Sequence, residues 1–355
     1  MAKELNRKSK KRLLLLTLPI AILLLVLSYY QLIYKSKRVD GGMVQPSIIF
    51  SAHTAQLRGV RFDPGGNFVI SGSVDSTVRI WKKENGEQIR ILKHPAGVSS
   101  IDISTDGKYI ATGSYDSVVR LWRVEDGFLL QGFTGHRGTI WSVDISTDGQ
   151  TIVSGGDDAT AILWDIETGK RTHTLRGHKR TIWSVKISPD GSKIVTVSYD
   201  ASIKFWNATN GNLLQTVNGH SEAIVDVAFS NDGKMFASTS DDKTIKLWDI
   251  LDLSVIRIMK VEEHVQAVVF SPDNKRLLAG GRDKPMPGEF LQEIFGDSKF
   301  NKGVSMRLWD VHSGELLQTF SDHFNDVNDV AYSNDGLSIA SASDDKTVRV
   351  YKVVR

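Results

Sequence analysis

Residues Gly135 to Asp165 read GHRGTIWSVDISTDGQTIVSGGDDATAILWD, and the same grammar recurs along the chain. Within the stretch, Ile140 to Ser146 alternates Val143 and Ile145 with Ser142 and Asp144, the period of two of a strand with one buried face. Asp148-Gly149 follows, a pair suited to a hairpin turn because glycine adopts positive φ without a Cβ clash. Thr151 to Gly155 and Thr160 to Asp165 supply a second and a third strand. After the Glu167-Thr168-Gly169 turn, Lys170 to Leu175 supplies a fourth. Four short antiparallel strands of this kind form one sheet unit.

Trp164 belongs to a series. Trp81, Trp122, Trp164, Trp206, Trp248 and Trp309 each end a strand-like run, and the first five stand 41 or 42 residues apart. An aspartate precedes each of those five by six positions (Asp75, Asp116, Asp158, Asp200, Asp242), and a histidine precedes that aspartate by 22 (His53, His94, His136, His178, His220). A hydroxyl residue keeps register between them: Ser71, Thr112, Ser154, Thr196 and Ser238. A seventh copy holds His323, Ser341 and Asp345, with Tyr351 where tryptophan stood. In the sixth copy, aligning Val265 to Ser271 with Ile224 to Ser230 places Val261 at the histidine position and Ala279 at the hydroxyl position, and leaves His264 out of register. Asp283 and Trp309 remain. Losing both polar partners costs less than losing one, since a lone buried donor or acceptor costs about 1–3 kcal/mol.

A period of about 40–45 residues with Gly-His near its start and Trp-Asp near its end resembles the WD40-repeat family. The matching pairs are Gly135-His136, Gly177-His178, Gly219-His220, Trp164-Asp165, Trp248-Asp249 and Trp309-Asp310. From Ser47 to Arg355 the resemblance implies an all-β, seven-bladed propeller. It also implies that Ser47 to Phe50 supplies the outer strand missing after Thr347 to Val353, closing the ring. The repeated His, Ser/Thr, Asp and Trp would then form a buried hydrogen-bonded network. A His/Asp/Ser triad could suggest catalysis, but an active site is normally single, so repeated copies argue for a shared packing duty.

The resemblance further implies a partner face on which the Gly-His loops and the aspartate turns meet. Residues just before the aspartate (Val74, Tyr115, Asp157, Tyr199, Asp241, Arg282, Asp344) and at the first strand (Gln56, Arg58, Trp141, Trp183, Asp326, Asn328) should project there. From these, Arg58, Tyr115, Trp141, Trp183, Tyr199 and Arg282 are the partner-binding candidates, since Trp, Tyr and Arg dominate interface hot spots. Trp141 and Trp183 could instead serve strand packing within neighbouring blades. The sixth repeat carries 20 extra residues, near Lys284 to Gly303, whose Phe290 and Phe295 join the candidates. Such an apolar insert is expected either to plug the channel or cap the sixth blade, or to hold a partner. The pairs Asp157-Asp158, Asp241-Asp242 and Asp344-Asp345 invite a calcium reading, but each second member already belongs to the network, so no metal and no cofactor are expected.

The chain holds 44 Lys plus Arg and 41 Asp plus Glu, yet its basic excess lies in the first 40 residues, which contain nine basic and two acidic side chains. The remainder holds 35 basic and 39 acidic residues and offers no net basic face for nucleic acid. The absence of cysteine excludes disulfides and thiolate chemistry. Leu13 to Ile33 runs without a charge and, at about 1.5 Å per residue, extends roughly 31 Å, the thickness of a bilayer core. Tyr29, Tyr30 and Tyr34 lie at its far end, and no small-x-small cleavage site follows.

The expected organisation is a basic tail (1–12), a transmembrane helix (13–34), a tether (35–46) and the propeller (47–355). Six preceding basic residues place the amino terminus in the cytoplasm and the propeller on the outer side, as a single-pass membrane protein, although three positive charges after the helix favour a cytosolic propeller. Asn207-Ala208-Thr209 is a glycosylation sequon only in a luminal eukaryotic setting. The expected function is a membrane-anchored, monomeric scaffold for protein–protein interaction, binding a protein or peptide and no nucleic acid. Its rivals are a ligand-sensing propeller and a propeller hydrolase. Against the hydrolase stands the lack of any unrepeated His/carboxylate cluster; His173 and His312 are isolated.

Overall fold

The computed structural model describes residues 41–282 and 304–354. The expected helix at 13–34, the tail before it, Asp283 and the insert with Phe290 and Phe295 lie outside the described residues, as does the side chain of Arg282. Among the described residues no helix is long and apolar enough to cross a membrane.

Seven four-stranded antiparallel sheets close into a ring. The inner strands of blades 1 to 7 are Leu57–Phe62, Val98–Ile103, Ile140–Ile145, Ile182–Ile187, Ile224–Phe229, His264–Phe270 and Val327–Tyr332. In the third blade the other strands are Thr151–Gly156, Thr160–Asp165 and Arg171–Arg176, within one residue of the sequence reading. Gly149 adopts φ 69 in the hairpin turn that joins its first two strands.

Each blade is apolar on both faces because it packs between two others. The third blade's core joins Ala111, Val119 and Leu121 of its neighbour to Ile140, Val143, Ile152 and Trp164 of its own strands. Glycine in the second strand permits this approach: a Cβ on Gly155 would lie 2.7 Å from Ile182 Cγ2 and from Val185 Cγ1 of the next blade. Carboxylates on the inner strands tie blades along the channel wall. The Ile145 amide donates to Asp102, Ile187 to Asp144, Val268 to Asp226 and Val60 to Asp329, at 2.8–2.9 Å. Burial pushes the Asp144 and Asp226 carboxyls up, while Lys186 and Arg61 partner Asp144 and Asp329 at 2.8 and 2.6 Å.

Ring closure follows the expected route, with the outer strand of the last blade coming from the beginning of the described chain. That strand spans Val44–Phe50, three residues longer than the sequence reading, and pairs antiparallel with Val348–Val353. Part of the expected tether therefore belongs to the sheet. Gln318, on the outer strand of blade 6, latches it. Its side-chain oxygen accepts from the Met43 and Val44 amides at 3.1 and 2.9 Å, and its nitrogen donates to the Val44 carbonyl at 2.8 Å.

Candidate functional site

Five blades carry the His–Asp pairing. His53, His136, His178, His220 and His323 place Nδ1 2.8–3.2 Å from Asp75, Asp158, Asp200, Asp242 and Asp345. Their Nε2 atoms lie 2.7–2.8 Å from Ser71, Ser154, Thr196, Ser238 and Ser341. The indoles of Trp81, Trp164, Trp206 and Trp248 donate to the same hydroxyls at 2.8–2.9 Å. The aspartates also accept the amide that follows the histidine, from Thr54, Arg137, Lys179, Ser221 or Phe324.

These contacts assign the protons. The indole N–H donates to the hydroxyl, the hydroxyl donates to Nε2, and a neutral imidazole donates its Nδ1–H to the carboxylate. Burial, outweighing the bond to aspartate, holds His53, His220 and His323 below the ordinary histidine range. Burial works to raise Asp158, Asp200 and Asp345, yet hydrogen bonds from their histidines and neighbouring amides hold them well below the carboxylate range. The hydroxyls are fully buried, and those of Ser71, Ser154, Thr196 and Ser238 serve both a histidine and an indole, so none faces a substrate.

The second blade departs from the pattern. His94 keeps Thr112 at 2.9 Å, but its Nδ1 lies 3.3 Å from the Leu92 carbonyl, and Asp116 turns instead to Arg120 in a bidentate pair at 2.6 and 3.0 Å. Pro95 is the physical reason: where other blades offer the carboxylate an amide, proline has none. In the first blade, where that amide exists, the matching Arg79 stays 3.9 Å from Asp75. In the sixth blade the Val261 amide donates to the Lys243 carbonyl, as His94 donates to Ser76, so valine does occupy the histidine position. Ala279 offers no hydroxyl to Trp309, and His264 is solvent-facing, 3.6 Å from Asp241.

His53, His94, His220 and His323 make stability pH-dependent. In the unfolded chain they take up protons near 6.5, whereas burial lowers all four in the fold; His94 is pushed down to about 4 by burial and then by Arg120. The unfolded state therefore binds more protons below 6.5, and stability present above that pH is lost as pH falls toward 4. The raised Asp144 and Asp226 oppose part of this loss. His94 alone should remove about 3 kcal/mol by pH 4, seen as a lower urea midpoint than at pH 7. An unchanged midpoint across that interval contradicts the assignment of neutral buried imidazoles.

The exposed chemistry lies at one mouth of the channel. In every blade the inner strand carries a β-bulge near its start, which leaves Arg58, Trp141, Trp183 and Asn328 unpaired in the register of blades 1, 3, 4 and 7. A bulge re-aims the side chain it frees. These four line the central cavity of about 640 Å³. No periodicity announces the bulge, so sequence reading placed these residues on the face without this local cause.

An aromatic row crosses three blades. The ring of Tyr115 meets Trp141 edge-on at 5.7 Å, and Trp141 meets Trp183 at 4.5 Å. Asp157 fixes the row, accepting from the Trp141 indole at 2.6 Å and from Thr181 at 3.3 Å. Beyond it, the Arg180 guanidinium lies over Tyr199 at 5.3 Å, and Tyr199 is 46% exposed. Arg58 donates to Asn328 at 3.1 Å, while Asn328 donates to Asp344 at 2.5 Å. The structure thus joins Tyr115, Trp141 and Trp183 in one row, places Arg58 on the same cavity wall as the two tryptophans, and sets Tyr199 beside Arg180. The two tryptophans, expected either to pack within their blades or to anchor a partner, touch each other across blades and are half-buried at the mouth.

The family described as WD domain, G-beta repeat matches residues 44–82, 86–123, 127–165, 169–207, 211–249, 256–284 and 314–352. A ribosome biogenesis protein BOP1 homolog of Monosiga brevicollis is 32% identical over 56 residues, 16% of this chain and 7% of that protein. Pre-mRNA-processing factor 17 of Homo sapiens is 32% identical over 66 residues, 19% of this chain and 11% of that protein. The expected localisation, a single-pass membrane protein with its propeller on the outer side, is corrected on the relatives, which are named for ribosome biogenesis and pre-mRNA processing. The matched stretches fall in repeat units of the ring described above, and with all seven units accounted for, the chain belongs to the WD domain, G-beta repeat family.

Proposed function

We propose that the ring is a non-catalytic scaffold that captures a protein partner on the mouth bearing Tyr115, Trp141, Trp183 and Tyr199. The observation that carries this reading is the aromatic row, held in place by Asp157 before any partner arrives. Rigid aromatic side chains supply contact area without the ordering cost that flexible ones incur, which is why they anchor interfaces. Against an enzyme stand the repeated hydroxyls and imidazoles, whose hydrogen bonds are internal to the blades. The central cavity favours a second reading, a small-ligand sensor, but its acids already accept backbone amides of neighbouring blades. The relatives' named tasks belong to much longer chains, of which the matched stretches cover 7% and 11%.

Trp183→Ala is expected to lower recovery of the partner in affinity purification by about 30-fold, the effect of a hot spot of about 2 kcal/mol. Tyr199→Ala, at an exposed site, should weaken capture with the melting temperature unchanged. Full capture by both variants sinks the proposal, and a tightly bound metabolite recovered with no protein favours the sensor.

A further inference from the structure

The same mouth is electrically divided. On blades 3 and 4 its exposed charged residues are Arg137, Lys179 and Arg180, together with Asp157, which accepts from the Trp141 indole. On blades 5 and 6 they are Glu222, Glu262 and Lys243, with Asp241 and Glu263 half-buried next to them. The two halves meet in a cleft of about 440 Å³ whose lining includes Lys179, Arg180 and Tyr199 on one side and Glu222 and Asp241 on the other. His264 approaches Asp241 at 3.6 Å and Lys243 approaches Glu263 at 3.8 Å, which brings the acidic loop of blade 6 against that of blade 5.

Resting on the scaffold reading above, we infer that the bound segment is an extended peptide with acidic side chains at one end and basic ones at the other. Its acidic end lies over Arg137, Lys179 and Arg180, its apolar centre on Trp183 and Tyr199, and its basic end over Glu222, Asp241 and Glu263. Exposed ion pairs contribute little affinity each, but like charges placed opposite one another are penalised, so the divided face selects a direction of binding. The aromatic row then holds what the charges have oriented. A nucleic-acid strand fits half of this surface only, because its uniform phosphate charge meets repulsion over blades 5 and 6.

The test uses the full chain and labelled synthetic peptides in fluorescence anisotropy. One peptide carries a glutamate block, a Leu-Phe centre and a lysine block; two others carry the same centre between glutamates only or between lysines only. The block peptide should bind about tenfold more tightly than either uniform peptide and weaken as salt rises. With Lys179→Glu and Arg180→Glu combined, preference should pass to the all-lysine peptide. The inference is overturned if the block peptide does not bind, if a uniform peptide or single-stranded RNA binds as well, or if the double substitution changes nothing. Trp183→Ala separates the two readings. If it weakens the block peptide while charge reversal has no effect, the polarity fails and the scaffold stands; if only charge reversal matters, the aromatic row fails and the polarity stands.

Discussion

Ser154→Ala is expected to destabilise the ring by about 2–5 kcal/mol, because one hydroxyl serves two buried partners. Ser154 is fully buried, accepts from the Trp164 indole at 2.8 Å and donates to His136 Nε2 at 2.8 Å. Alanine leaves both nitrogens enclosed without a partner. The sixth blade shows the remedy, since it lacks hydroxyl and histidine together, with Ala279 and Val261 in their places. Combining Ser154→Ala with His136→Val should therefore cost less than the sum of the single substitutions, by about 1–2 kcal/mol. Urea unfolding of the four proteins measures the coupling. Strict additivity would show that the histidine and the hydroxyl do not act as a unit.

That network was mostly legible in the sequence, because spacings of 18 and 22 residues hold through the copies and each residue type has one job. The blades were legible for a similar reason: alternation, Asp-Gly turns and a fixed tryptophan are local signals. What periodicity could not show are contacts that skip the period. The exchange of His94 for Arg120 as the partner of Asp116 depends on one missing amide at Pro95. The bulges that aim Trp141 and Trp183 into the mouth belong to strand pairing, not to the residues themselves. The latch at Gln318 joins positions 274 residues apart and looks, in sequence, like any polar residue on an outer strand.

Gln318→Met is expected to loosen the closed ring, at a cost of about 2–5 kcal/mol, while nearly preserving side-chain volume. Gln318 is 6% exposed and satisfies the Met43 amide, the Val44 amide and the Val44 carbonyl. Methionine can pair with none of these well, and Val44 is itself buried. Because Val44–Phe50 completes the last blade, the damage falls on closure and leaves an exposed edge along Val348–Val353. Amide exchange should rise at least about tenfold in those two strands and little in blades 3 and 4, where neighbours remain in place. Uniform loss of protection around the ring, or none, would contradict a local latch.

If the repeated polar residues fasten the ring internally and recognition belongs to the aromatic mouth, hydrogen–deuterium exchange of the chain, alone and bound to the partner it captures, should separate the two roles. New protection is expected in the loops around Tyr115, Trp141, Lys179 to Trp183 and Tyr199. Protection confined to the opposite hairpin turns, such as Asp148-Gly149, or to the outer strands would contradict it.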